Sequence, residues 1–292
     1  MAFTDGFEHI LREGEPLAPY TWLRIGGAAE YFAEPTSADE LSQLVRRCYA
    51  EDMPVRLLGG GSNILVRDEG VQGLVIHLSA AQFCAVTVED GEVLAGGGAK
   101  LSHLISTAVR EGLAGLEQLV GIPGTVGGAL HGNASSHGTD IGSCTRAATV
   151  LTHAGEIFQR TREELLFAYR ESSLDELVIL DARFALEPAD SQDLTKRMQK
   201  RWIVNKAEQP LRDQATAMLF KDPGGVSAAS LIDQAGLEGS QIGGVELSER
   251  NANYAVAERD ATARDVLDLI DLLREGVSQR LGVTLETALD IW

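Results

Sequence analysis

An α+β fold in two domains is what the sequence predicts, on three observations. These are a length of 292 residues, apolar stretches that switch between helical and strand periods, and one polar, proline-bearing break at 188–193. At about 100–200 residues per domain, the length divides most simply into two. Hydrophobic residues make up 44% and charged residues 23%, which is enough apolar surface for a real core. No apolar run approaches the roughly 18–20 residues that a membrane-crossing helix needs. The opening MAFTDGFEHI lacks the basic and apolar stretches of a secretory signal, so the expectation is a cytoplasmic protein without membrane insertion.

Along the chain, 38–52 reads as a helix with Ser37 as its N-cap and Leu41, Leu44, Val45 and Cys48 on one face. Strands at 54–60 and 73–79 complete a small β-α-β unit. A hairpin is expected over 84–97, turning at Asp90-Gly91. It is followed by a helix at 101–112 with Leu101, Leu104, Ile105 and Ala108 as its stripe. A second hairpin turns at Ala154-Gly155, a short helix starts at Thr161, and 176–187 is a strand. Beyond the break come a helix to about Lys206, a Pro/Gly-punctuated stretch at 209–225, helices at 226–235 and 262–281, and a strand at 253–258.

The net charge of −18, from 25 basic and 43 acidic residues, argues against nucleic-acid binding, which needs a basic face. Most of that charge lies in residues 1–190, since 191–292 carries 12 basic and 16 acidic residues. Cys48, Cys84 and Cys144 form no C-x-x-C pair and read as small buried thiols. The six histidines, His131 and His137 among them, show no metal-ligand spacing, so no metal is expected.

Glycine is clustered as well as abundant. Gly59, Gly60, Gly61, Ser62 and Asn63 follow directly on a predicted strand. A second cluster runs Gly121, Ile122, Pro123, Gly124, Thr125, Val126, Gly127, Gly128 and closes at Asn133 and Ala134. Residues without a Cβ let backbone N–H groups turn toward phosphate oxygens. Neither cluster spells the P-loop or the G-x-G-x-x-G dinucleotide fingerprint. Two such loops together favour a diphosphate or dinucleotide site over a pair of plain turns.

The strings TWLRIGG (21–27), LGGGSNILVRDEG (58–70), GLEQLVGIPGTVGGALHGNASSHG (115–138), FAYR (167–170), EQP (208–210), FKDP (220–223) and LIDQAGLEGSQIGG (231–244) resemble the UDP-N-acetylenolpyruvoylglucosamine reductase family in order and nearly end to end. The resemblance implies a flavoprotein of peptidoglycan-precursor synthesis. It implies a two-part FAD-binding region of the vanillyl-alcohol-oxidase (PCMH) type and a smaller α+β substrate domain. On that basis 1–20 is an N-terminal lead, 21–189 the FAD region with a split near 80, and 190–292 the substrate-binding domain. NADPH is the implied hydride donor and a small UDP-sugar the implied substrate, reduced to UDP-N-acetylmuramate. By the same carry-over, Gly59 to Asn63, Gly121 to Val126, Asn133 and Ala134 hold FAD, while Tyr169, Lys206, Gln209 and Lys221 contact substrate.

Arg170 matches the family's catalytic arginine; a fixed cation there would stabilise negative charge on the enolpyruvyl carboxylate. Two other catalytic positions depart from the pattern. The family's proton donor, a serine or cysteine, is Met218 here, a thioether with no proton to give. The family's glutamate near the end is Ala288. Thr216 would need a different loop conformation to substitute, and Glu286 a two-residue shift. Asp222 replaces the family's asparagine and would put negative charge near the nucleotide phosphates. Three functions follow: the reductase with an unusual donor, a silent relative that binds FAD and a UDP-sugar, or a flavoprotein oxidoreductase acting on another substrate.

Overall fold

In the computed structural model, which describes residues 3–89, 91–136, 138–210 and 215–292, the chain passes back and forth between two units. The first holds 1–14, 30–60 and 72–203, the second 15–29, 61–71 and 204–292. These interleaved pieces differ from the three consecutive segments that the sequence suggests.

The first sheet belongs mainly to the first unit. It is built from β1 (Leu11–Pro16), β2 (Ala28–Ala33), β3 (Val55–Leu58) and β4 (Val71–His77), in the order β1-β2-β4-β3. β3 and β4 run parallel, with Val55 opposite Leu74, and α1 (Ala38–Ala50) provides the crossover ahead of β3. Ser37 caps that helix by accepting the Glu40 N–H, and Leu41, Leu44, Val45 and Cys48 are all buried. β1 escaped the sequence reading for a physical reason. LREGEP is an edge strand with no buried position, so it shows no period-2 alternation.

The second sheet takes β5 (Val86–Glu89), β6 (Glu92–Gly96), β7 (Thr145–Leu151), β8 (Ile157–Thr161) and β9 (Val178–Ala185) in the order β8-β7-β9-β6-β5, antiparallel throughout. Both expected hairpins are present, β5/β6 and β7/β8. Asp90 of the first turn and His137 lie outside the described residues. The helix expected from Thr161 is a single turn, Arg162–Glu164, closed by a reciprocal capping box between Thr161 and Glu164. α2 (Leu101–Arg110) and the short α3 (Val126–His131) pack into one apolar core with this sheet, through Leu104, Leu130, Val150 and Phe184. α4 (Ser191–Glu208) carries the chain onward.

The second unit centres on a four-stranded sheet of β10 (Ala215–Met218), β11 (Gln241–Ile242), β12 (Val245–Ser248) and β13 (Asn251–Ala257), in the order β10-β13-β12-β11. Ala217, Leu247 and Ala255 share the face that packs with Ile232 of α5 (Ala228–Gln234) and with Leu269 and Leu273 of α6 (Ala263–Leu281). β10 lies inside the stretch read as irregular; it is only four residues long, and proline and glycine flank it. α6 begins with a capping box of Thr262 and Asp265. The Asp68 carboxylate accepts the Ala263 and Arg264 N–H groups at 2.9 and 3.1 Å. Residues 290–291 pair in parallel with 64–65. Among the described residues no helix is long and apolar enough to cross a membrane, and no three His, Cys, Asp or Glu side chains gather as a metal site.

Candidate flavin and substrate site

In the first unit the two glycine clusters lie against each other. A Cβ on Gly60 would stand 2.7 Å from the Gly124 Cα, and one on Gly59 would stand 2.9 Å from the Thr125 hydroxyl. Only glycine permits that approach of backbone to backbone. Gly121 and Gly124 also adopt φ of +95° and +106°. Thr125 spends its hydroxyl on the Gly128 N–H, starting α3, while the neighbouring Val126 amide bonds to the Ala99 carbonyl. Among the described residues, the N–H groups of Gly60, Gly121, Gly124 and Thr125 donate to no backbone carbonyl. Apposed glycine loops with uncommitted amides are a donor set that fits the pyrophosphate of a dinucleotide such as FAD. Ile122 and Pro123 are half-buried and Val126 and Ala134 buried, so these four shape the loop from its apolar side.

Asn133 departs from its expected role. Its side chain is buried and spent on the protein: Nδ2 donates to the Ala168 carbonyl at 2.8 Å, and Oδ1 accepts the Gly142 N–H at 3.2 Å. It thereby fastens the small hairpin Phe167–Ser172, in which Phe167 pairs with Ser172 and Ala168 with Glu171. Tyr169 and Arg170 form the two-residue tip. Arg170 has φ of +59°, a left-handed conformation rare for a branchless cation and usual for glycine. Its Nε is buried without a hydrogen-bond partner among the described residues, and its guanidinium lies 6.0 Å from the Tyr169 ring. Tyr169 itself is exposed. A strained arginine with an orphaned donor is suited to gripping a carboxylate that the protein does not supply.

The second unit holds the rest of the first loop. Gly61, at φ +64°, leaves no room for a Cβ because the Tyr20 carbonyl stands 1.9 Å away. Ser62 is half-buried. Asn63 is exposed, and its Nδ2 donates to the Ala288 carbonyl at 3.0 Å.

The segments that carry Met218 and Ala288, distant in sequence, come together in this unit. Residues 219–221 leave β10 and run antiparallel to 286–288. The Ala288 N–H bonds to the Leu219 carbonyl at 2.8 Å, the Lys221 N–H to the Glu286 carbonyl at 2.9 Å, and Phe220 stands opposite Thr287. The Lys221 ammonium is paired with the Glu286 carboxylate at 2.5 Å. Glu286 is therefore already engaged two residues from the vacant glutamate position. Thr216, expected in a loop, is in strand β10 and on the same face as Met218, with Val256 and Tyr254 opposite them. No rearrangement is needed to turn its hydroxyl to that side.

Asp222 also differs from expectation. One carboxylate oxygen accepts the Ala228 N–H at 2.8 Å, so part of its charge is met by the start of α5. Lys206 lies in the last turn of α4, exposed and accepting the Arg250 guanidinium on its carbonyl, and Gln209 follows just beyond the helix. Of the cysteines only Cys48 is fully buried, and burial raises its thiol pKa to about 11; Cys84 and Cys144 are half-buried, and burial raises them too.

Residues 209–292 match the profile described as the UDP-N-acetylenolpyruvoylglucosamine reductase C-terminal domain, and 29–160 the one described as an FAD binding domain. The chain is 41% identical over 290 residues to the UDP-N-acetylenolpyruvoylglucosamine reductase of Rhodopirellula baltica, across 99% of this chain and 95% of that one. It is 38% identical over 288 residues to the enzyme of that name from Listeria innocua, across 98% and 96%. Among solved structures it is similar to UDP-N-acetylenolpyruvylglucosamine reductase from Thermus caldophilus. The TM-score is 0.82 at 34% identity, over 97% of this chain and 99% of that one.

Proposed function

Because the chain belongs to the UDP-N-acetylenolpyruvoylglucosamine reductase family, we propose that it reduces UDP-N-acetylenolpyruvoylglucosamine to UDP-N-acetylmuramate with NADPH, more slowly than an enzyme with a serine donor. A nucleotide-sugar substrate and a nicotinamide donor place this work in the cytoplasm. The observation that carries the reading is the contact of the two glycine loops at Gly60 and Gly124, joined through Asn133 to the hairpin of Arg170.

FAD, when bound, supplies a two-electron relay between nicotinamide and the enolpyruvyl double bond. The chain's own residues do the rest. Amides of Gly60, Gly121, Gly124 and Thr125 would take the pyrophosphate, with Gly59 and the half-buried 122–123 segment beside them. Arg170 holds the substrate carboxylate and opposes the negative charge that grows there. Tyr169, Lys206, Gln209 and Lys221 bind the UDP-sugar, with Lys221 and Lys206 as point charges for its diphosphate.

Proton delivery is the weak step. Met218 has no proton to give, and Ala288 brings no carboxylate. Loss of a positioned acid costs about 10²–10⁴ in rate, and a second loss beside it adds less than its full share. Water or Thr216, on the same strand face as Met218, takes over slowly. The replacement of both positions, on segments that pair with each other, also favours a second reading, a relative that binds FAD and a UDP-sugar without turning over.

The deciding experiment is anaerobic. The purified flavoprotein is reduced, enolpyruvyl-UDP-N-acetylglucosamine is added, and flavin absorption is followed. Reoxidation is expected. A reduced flavin indifferent to the substrate would favour the silent relative, and a protein purified without flavin would overturn the reading of both glycine loops.

A further inference from the structure

Beyond β10, where residues 219–221 pass from pairing with β13 to pairing with 286–288, the chain has an unusual fixture. In an antiparallel ladder, residues alternate between exchanging both peptide hydrogen bonds with the residue opposite and pointing them away. Phe220, opposite Thr287, is of the second kind, because the bonds on either side of it run from Ala288 to Leu219 and from Lys221 to Glu286. Its own N–H and C=O therefore face away from that segment. Phe220 is fully buried, so each of these groups, left unpaired, would bear its full desolvation penalty.

The Asn253 carboxamide takes both. Its Oδ1 accepts the Phe220 N–H at 2.9 Å and its Nδ2 donates to the Phe220 carbonyl at 2.8 Å. Its backbone carbonyl accepts the Leu219 N–H at 2.9 Å. The side chain is itself buried, on the face of β13 that Ala255 otherwise gives to the core. A primary amide presents the same donor and acceptor as a peptide, so Asn253 stands in for one residue of a missing strand. The ladder between β12 and β13 slips at this place, between Leu247 and Ser248, which frees Asn253 from ordinary pairing.

We propose that Asn253 is a positioning residue for the substrate half of the reaction. By clamping the Phe220 peptide groups, it sets where Lys221 stands relative to Thr216 of β10 and to the 286–288 segment. The inference rests on the reductase reading for the roles of Lys221 and Thr216. Asn253 touches no reacting atom; it acts through the backbone between them.

The test uses the flavin-bound protein and separates the two halves of turnover. In Asn253→Ala, flavin reduction by NADPH is expected to be unchanged. Reoxidation by the enolpyruvyl sugar is expected to fall about 10–100-fold, with a higher half-saturating concentration, since misplacement near 1 Å costs on that order. Asn253→Asp adds a signature of the two-point clamp. The ionised carboxylate still accepts the Phe220 N–H but opposes its carbonyl. The protonated acid can donate to that carbonyl and restore both bonds. Its reoxidation rate, relative to the parent at the same pH, should therefore recover as pH falls, while that of Asn253→Ala stays flat.

Equal substrate half-reactions in parent and Asn253→Ala would overturn the inference and leave the reductase reading intact. So would a parallel loss of both half-reactions in Asn253→Asp without recovery at low pH. A parent that does not reoxidise removes the reductase reading, and the inference with it. If Asn253→Ala does not hold flavin, the pH recovery of Asn253→Asp decides alone.

Discussion

Arg170 occupies a backbone conformation that costs a non-glycine residue on the order of 1–3 kcal/mol, and it does so at a hairpin tip held by Asn133. Arg170→Gly should remove the strain, at a cost of about 1 kcal/mol in unfolded-state freedom. The expected melting temperature is unchanged or a few degrees higher, while substrate-driven reoxidation falls about 10²–10³-fold. A marked loss of thermal stability would instead make the arginine structural. The paired replacement Met218→Ser with Ala288→Glu should raise turnover by about 10²–10⁴, read as steady-state NADPH consumption; no rise would point to a different substrate. At this scale the sequence was informative about chemistry and silent about contact. Motif spacing exposes Met218 and Ala288, but the approach of their segments depends on a ladder of two hydrogen bonds between distant stretches of chain. Asn253 is not legible as a clamp, because an asparagine in the short strand NANYAVA carries no mark of what its amide will meet. Asn133 was expected at the cofactor for its amide, which the Ala168 and Gly142 peptides claim first.

Elements with strong periodicity or a cap were legible, and those defined by partners were not. α1 and α6 follow their apolar stripes and begin at Ser37 and Thr262. β1 and β10 are short, with no alternation to show, and exist because β2 and β13 offer them an edge. The start of α6 is held from afar as well, by Asp68. Asp68→Ala leaves the Ala263 and Arg264 amides to water and should cost about 1–2 kcal/mol, measured as a lower urea midpoint with unchanged slope. The contact of the glycine loops makes a sharper prediction. In Gly60→Ala the new methyl meets the Gly124 Cα at 2.7 Å, and backbone cannot yield as a flexible side chain would. The loops must part, and the purified protein should show a reduced ratio of flavin to protein absorbance with little change in far-ultraviolet dichroism.

For the molecule as a whole, charge sets the response to solution conditions. A net charge of −18 repels itself, so raising salt at neutral pH should raise the melting temperature as the Debye length shortens from about 10 Å at 0.1 M toward 3 Å at 1 M. Acid acts in the other direction through the capping carboxylates. The Thr262 N–H lowers the pKa of Asp265, and the Thr161 N–H lowers that of Glu164. Groups with depressed folded pKa values stabilise fully above their unfolded values, near 4, and that stability is lost as pH falls through the folded ones. Thermal melts between about pH 5 and pH 3 should show the decline, and Asp265→Asn should flatten part of it. The two-unit plan was legible only in outline, because a break in composition marks where the chain is polar and not how often it crosses between units. Those crossings have a consequence in time. Residues 64–65 and Asp68 leave the ribosome long before 290–291 and the start of α6, which complete their pairing. The loops that must close are long, and each such closure is entropically costly before any contact rewards it. The second unit can therefore finish only after residues 290–291 have been made, and until then its early segments wait as ligands for partners not yet synthesised.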